Sequence, residues 1–102
     1  MALFAVTREA GPGWTDGVGA FEQPGASAHG AFMNGLHEDG LILFAGPLAG
    51  SEADRIRVLL IASAEDPDEI SRRLMDDPWA IEERLVTVAI EPWLLVVGSE
   101  RI

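Results

Sequence analysis

Two side chains in this sequence have the chemistry of a proton-transfer pair, the imidazole of His29 and the carboxylate of Asp77. An imidazole gains or loses a proton near neutral pH, and a carboxylate behind it fixes its tautomer and raises its basicity. On a helical wheel at about 100° per residue, Phe32, Met33 and Leu36 all fall within about 60° of His29. His29 therefore points inward along an apolar stripe. That position also suits a core histidine satisfied by a backbone carbonyl. Asp77 precedes Pro78, a place suited either to the N-cap of a following turn or to a catalytic acid. If the helices that carry them share one side of a sheet, the carboxylate meets the imidazole and the pair becomes a general acid/base.

Other chemistries find less support. Cysteine is absent, and all seven basic residues are arginine. Thiolate nucleophiles, cysteine-based zinc sites and lysine Schiff bases are thereby excluded. His37 lies two turns beyond His29, roughly 12 Å along the axis, too far for both to ligate one ion. No metal and no cofactor is expected. Gly11, Gly13, Gly17 and Gly19 do not reach G-x-G-x-x-G spacing, so a dinucleotide has no cradle. Trp14, Trp79 and Trp93 are large amphipathic surfaces that wall a ligand pocket or bury at a subunit seam. Trp79, beside Asp77, is the candidate substrate-binding tryptophan, and Trp93 belongs to the seam.

The elements that must position these groups follow from local patterning. Ala2 to Thr7 reads as a strand, and the glycine-rich stretch Gly11 to Gly25 as a long loop. A helix runs from about Ser27 to Asp39 and stops at Gly40. Leu41 to Ala45 is a strand closed by Gly46-Pro47, and after a hairpin-length connection Arg55 to Ala62 is its antiparallel neighbour. Asp66-Pro67-Asp68-Glu69 opens a second helix with a capping aspartate, a proline in the first turn and a glutamate three residues on. Asp77-Pro78 ends that helix, a short turn follows through Glu83, and Arg84 to Glu91 is the last strand, with Val86, Val88 and Ile90 alternating against Leu85, Thr87 and Ala89. The order βαββαβ predicts an α+β, ferredoxin-like domain with an antiparallel sheet.

Length and composition narrow the partners. The 102 residues suit one domain spanning 1–102, and seven basic against seventeen acidic side chains give a net charge of −10. Such a surface repels phosphate backbones and anionic lipids, so neither nucleic acid nor membrane is an expected partner. The longest apolar runs fall far short of the roughly 18 residues of a membrane span. Met1 to Val6 lacks the basic start of a secretory signal, and the expected location is cytoplasmic. Leu59 and Ile61 make the second face of the third strand apolar, and the tail 93–102 begins Trp93-Leu94-Leu95-Val96-Val97. Two helices cover only one side of a four-stranded sheet, so a homodimer is expected, packed sheet to sheet, with the tail as an added edge strand or crossing between subunits.

Several segments carry a resemblance. Ala28-His29-Gly30-Ala31-Phe32-Met33, the run from Gly40 to Leu48, Asp76-Asp77-Pro78-Trp79 and Glu91-Pro92-Trp93 are similar to the YciI-related proteins over nearly the whole chain. The resemblance implies a dimeric α+β barrel with a histidine and an aspartate, here His29 and Asp77, as an active-site dyad. It also implies lyase-type or isomerase-type proton transfer on a small cyclic or aromatic substrate, as in the member class that removes chloride from a chlorinated hydroxyhydroquinone. Many relatives carry an arginine shortly before the histidine. Gly25-Ala26-Ser27-Ala28 offers none, which leaves Arg8 as the candidate anion-binding residue. The alternative is a non-catalytic small-ligand-binding or protein-interaction module, in which the same residues cap and pack. On the enzymatic reading, His29→Ala and Asp77→Asn abolish turnover while the melting temperature barely moves.

Overall fold

The computed structural model describes all residues, Met1–Ile102. Four strands, β1 (Ala2–Ala10), β2 (Ile42–Pro47), β3 (Arg57–Ala64) and β4 (Leu85–Pro92), form one antiparallel sheet in the order β2-β3-β1-β4. Helices α1 (Ala26–Glu38), α2 (Pro67–Leu74) and the one-turn α3 (Pro78–Ile81) complete the ferredoxin-like α+β arrangement that the element order predicts. Asp66 caps α2 by accepting the Glu69 N–H at 2.9 Å, and the Glu69 carboxylate reaches back to the Glu65 N–H. This is the capping grammar of that sequence, displaced by one residue at its return bond. Gly40 ends α1 with φ at 87°, a conformation that glycine adopts without strain.

Four elements differ from the sequence expectation, each for a local reason. β1 runs to Ala10 instead of ending at Thr7, because Arg8 continues the inward parity of Phe4 and Val6 and finds a buried partner. β2 continues through Gly46-Pro47 instead of stopping there. It is an edge strand and Leu48 donates to Arg57, so the alternate nitrogen of Pro47 falls on the open side, where no donor is needed. β3 starts at Arg57 instead of Arg55, whose guanidinium turns away to Asp16 and the carbonyls of Ala10 and Gly11. In β4 the alternation is broken by a bulge. Thr7 pairs with Ala89 but Arg8 with Thr87, which leaves Val88 unpaired and 56% exposed and moves Ile90 to the same side as Leu85 and Thr87.

The helix-facing side of the sheet holds the main core of Phe4, Val6, Leu60 and Ala62 from the strands with Leu36, Ile70 and Leu74 from the helices. A second cluster of Trp14, Ala20, Ile56, Trp79 and Leu85 lies beside it under the first loop. That loop is more ordered than its glycines suggest, containing a 3₁₀ turn at Ala20–Glu22. The Gln23 amide staples it by donating to the carbonyls of Thr15 and Val18 and accepting the Thr15 N–H. Val58 packs against both clusters, and the seam between them is where a cavity opens. The other face of the sheet carries Leu59 at 40% exposure and Phe44 at 60%. After β4, Trp93 adds one more backbone bond to Leu3, and the rest of the tail forms no strand.

Candidate functional site

Trp79 sets the start of α1. Its indole N–H donates to the Pro24 carbonyl at 2.9 Å, and Gly25, with φ at 77°, turns the chain into the helix without a side-chain cap. The first intrahelical bond runs from the His29 N–H to the Gly25 carbonyl, so His29 stands one turn in, over the same indole. The two rings stack with centroids 4.0 Å apart and planes 7° from parallel, while Trp14 meets the other ring system edge-on at 5.6 Å. Trp79 is thus a wall of the cavity and the platform of the imidazole.

Asp77 gathers the site. The carboxylate caps α3 by accepting the Trp79 N–H at 3.0 Å, and its two oxygens each lie 2.9 Å from His29 Nδ1. Arg8 Nη1 donates to Oδ2 at 2.9 Å. Cap and imidazole partner, which the sequence presents as alternatives, are both features of this one side chain. Arg8 and Asp77 are 1% and 0% exposed, so this is a buried ion pair, while His29 keeps 18% of its side-chain surface.

Burial by itself would raise the Asp77 carboxyl. The hydrogen bond and charge of His29 act against it, with the Trp79 N–H and Arg8 adding to them, and the group ends below its usual range. Burial lowers the Arg8 guanidinium, and Asp77 partly restores it. An ionised carboxylate can only accept hydrogen bonds. His29 Nδ1 must therefore carry the proton, and in the neutral ring Nε2 holds the lone pair. Nε2 has no protein partner.

His29 lines a cavity of about 210 Å³ together with Arg8, Met33, Phe21 and Trp79, and with apolar side chains of β2, β3 and β4. That volume is below the roughly 300 Å³ at which pockets for drug-sized ligands begin, and it suits a single small ring. The bulge in β2 helps to shape it. Ile42 pairs with Ala62 but Phe44 with Ile61, which brings Ala45 and Pro47 onto the cavity side opposite Leu60 and Val58. Sequence reasoning did not pick out Phe21, an exposed aromatic at the cavity edge, although a lone phenylalanine in a turn-forming stretch is a signal. It also treated Met33 only as part of the apolar stripe, whereas its sulfur faces Arg8 Nη1 at 4.0 Å. His37 stays outside this group, with Nδ1 on the Ile42 carbonyl.

Fold and site define a ferredoxin-like α+β protein whose small apolar cavity carries a histidine on an aspartate–arginine pair. No family model matches the chain, and no curated protein matches it. Among solved structures it is similar to 5-chloro-2-hydroxyhydroquinone dehydrochlorinase (TftG) from Burkholderia phenoliruptrix AC1100, determined in complex with 2,5-dihydroxybenzoquinone. The two are 26% identical, the match covers 90% of this chain and 93% of that one, and the TM-score is 0.67. No helix here is long and apolar enough to cross a membrane.

Proposed function

We propose that this protein is a YciI-like general acid/base enzyme of lyase or isomerase type, acting on a small cyclic or aromatic substrate. The observation that carries the reading is the contact of His29 Nδ1 with a buried, ionised Asp77 at the wall of a ring-sized cavity. Asp77 holds the tautomer and Trp79 keeps the imidazole in plane, while His29 Nε2 takes a proton from the substrate and either returns it at another atom, in an isomerisation, or passes it to water as chloride leaves the ring, in an elimination of HCl. Arg8 and Trp79 form the substrate-facing wall. The likeness to a dehydrochlorinase of a hydroxylated aromatic ring supports both the reaction type and the substrate class. Incubation with 5-chloro-2-hydroxyhydroquinone and a chloride electrode tests it, with turnover expected in the wild type and lost in His29→Gln. Binding of 2,5-dihydroxybenzoquinone without turnover of any such ring would return the protein to the ligand-binding class.

The working unit in this reading is a cytoplasmic homodimer formed through the open sheet face, where Leu59, Phe44 and the apolar tail would gain cover. Light scattering tests it, and a monodisperse monomer refutes it.

A further inference from the structure

We propose that Phe21 sets the ring size this cavity accepts: its phenyl group folds over a single bound aromatic ring and stacks on it, and a fused pair of rings leaves no room for that closure. This rests on the reading of the cavity as a ring-binding site and names the residue that selects among rings. A lone exposed phenylalanine carries no message by itself. The mounting of Phe21 is what sets it apart. It stands in the 3₁₀ turn Ala20–Glu22, lines the cavity, and is 78% exposed. Its neighbours are anchored on both sides. Ala20 is buried in the cluster of Trp14 and Trp79, and the buried Gln23 amide bonds to Thr15 and Val18. Arg84, at the entry to β4, donates through Nη1 to the Gly13 carbonyl at 2.9 Å and the Thr15 hydroxyl at 3.1 Å, tying the loop to the sheet. The backbone of Phe21 is therefore held, while its exposed ring is free to change rotamer within nanoseconds.

The lining divides by exposure into a floor and a rim. Leu60, Trp79 and Leu85 are buried, whereas Phe21 from the first loop and Ala45 and Pro47 from β2 are exposed. Ala45 ends at its Cβ and Pro47 is closed on its own backbone, so Phe21 is the rim side chain with the length and the rotatable bonds to cover a ligand. It also has the free aromatic surface. Trp79 gives one face to His29 at 4.0 Å and meets Trp14 edge-on, while Phe21 pairs with no other aromatic ring. A bound ring supplies the apolar cover that the protein does not, and ring pairs in offset or edge-on contact gain beyond the area they bury. The space of about 210 Å³ suits one ring. A second, fused ring has to extend past the rim, into the place that the phenyl group needs.

The experiment titrates catechol and 2,3-dihydroxynaphthalene, which share a pair of hydroxyls and differ by one fused ring, into the intact protein by calorimetry. Phe21→Ala should weaken catechol about tenfold, through the lost ring contact and the area it covered, and change the naphthalene by less than about twofold. A merely structural role would weaken both ligands alike. Phe21→Tyr keeps the flat ring and should bind catechol within about twofold of the wild type. Phe21→Leu, apolar but without a ring, should also weaken catechol more than the naphthalene, and it carries the test if Phe21→Ala does not fold. His29→Gln should keep the ratio of the two affinities while losing turnover. A failed proton-transfer reading would thus leave the Phe21 result standing, and turnover by the wild type would not rescue a failed one. Unchanged catechol affinity in Phe21→Ala, an equal loss for both ligands, no recovery in Phe21→Tyr, or no binding of catechol by the wild type overturns the proposal.

Discussion

Replacing Asp77 by asparagine isolates the charge that the site depends on. Asparagine has the same shape and can still accept the Trp79 N–H, so the cap on α3 is largely preserved. What disappears is the counter-charge of Arg8, a guanidinium that is 1% exposed. Leaving one member of a buried ion pair uncompensated costs about 3–5 kcal/mol. Taking the lower end, because the amide can still form one hydrogen bond, the loss is about 3 kcal/mol, or a melting temperature lower by on the order of 15 °C for a domain of this size. Neutralising the other partner separates charge from packing. Arg8→Met keeps the length of the side chain, and in the double variant the orphaned charge no longer exists. Urea unfolding of the wild type, both single variants and the double variant forms a thermodynamic cycle, with a coupling of about 2–3 kcal/mol expected between the positions. An Asp77→Asn variant within about 1 kcal/mol of wild type, or single effects that simply add, would show that Arg8 is not held as a buried charge. The buried ion pair thus leads to the opposite expectation from the one drawn from the sequence for Asp77→Asn, and the unfolding measurement decides between them.

Further outcomes follow from the same geometry. His29→Gln should lower any turnover by about 10²–10⁴-fold while costing no more than about 1 kcal/mol, since the partly exposed ring leaves the Arg8–Asp77 pair in place. Activity and unfolding measured on one preparation check both. Because the Asp77 carboxyl is held below its ordinary value of 3.8, its stabilisation is complete above that pH and is lost as pH falls through the lowered value. Urea midpoints measured from neutral pH down through pH 4 and below should fall more steeply for the wild type than for Asp77→Asn. Among the glycines, Gly35→Ala in α1 meets nothing within 4 Å and should stabilise by about 0.5–1 kcal/mol. Gly13→Ala would drive its Cβ into the Glu82 carbonyl oxygen and should destabilise markedly, a contrast that thermal melts resolve.

Much of this architecture was legible from residue order because the punctuation is strong. Asp66-Pro67 opens α2, Gly40 closes α1, and Gly50 with Ser51 joins β2 to β3 as an antiparallel pair. The inward turn of His29 was also legible, since it shares a helical face with Leu36. The bulges at Leu43 and Val88 were not, because an extra residue in one strand is a property of the pairing and leaves no mark on a single run of side chains. The sequence reading ends β1 at Thr7 and leaves Arg8 just outside it, because a charge after an apolar run marks the end of the run, whereas the strand continues to Ala10. The parity of Arg8 with Phe4 and Val6 was the available clue, and only the carboxylate 69 positions away makes that burial tolerable. The dual service of Asp77 was hidden for a similar reason. Capping is a local property and pairing is a distant one, and nothing in the sequence requires a choice between them.

Arg8 lies on β1, one of the two inner strands of the sheet, with hydrogen-bonded neighbours on both sides. Amide protons of such a strand exchange with solvent only when the whole domain opens. The guanidinium is therefore mounted on one of the two slowest-exchanging strands, and Asp77 ties the short α3 to it. Fraying of the tail or breathing of the first loop can alter access to the cavity without loosening its floor. Deuterium uptake should accordingly be slowest at Val6 and Thr7 and at their β3 partners Leu60 and Leu59, on the strands beneath the cavity, and this site should be among the last features lost as the protein approaches its melting point.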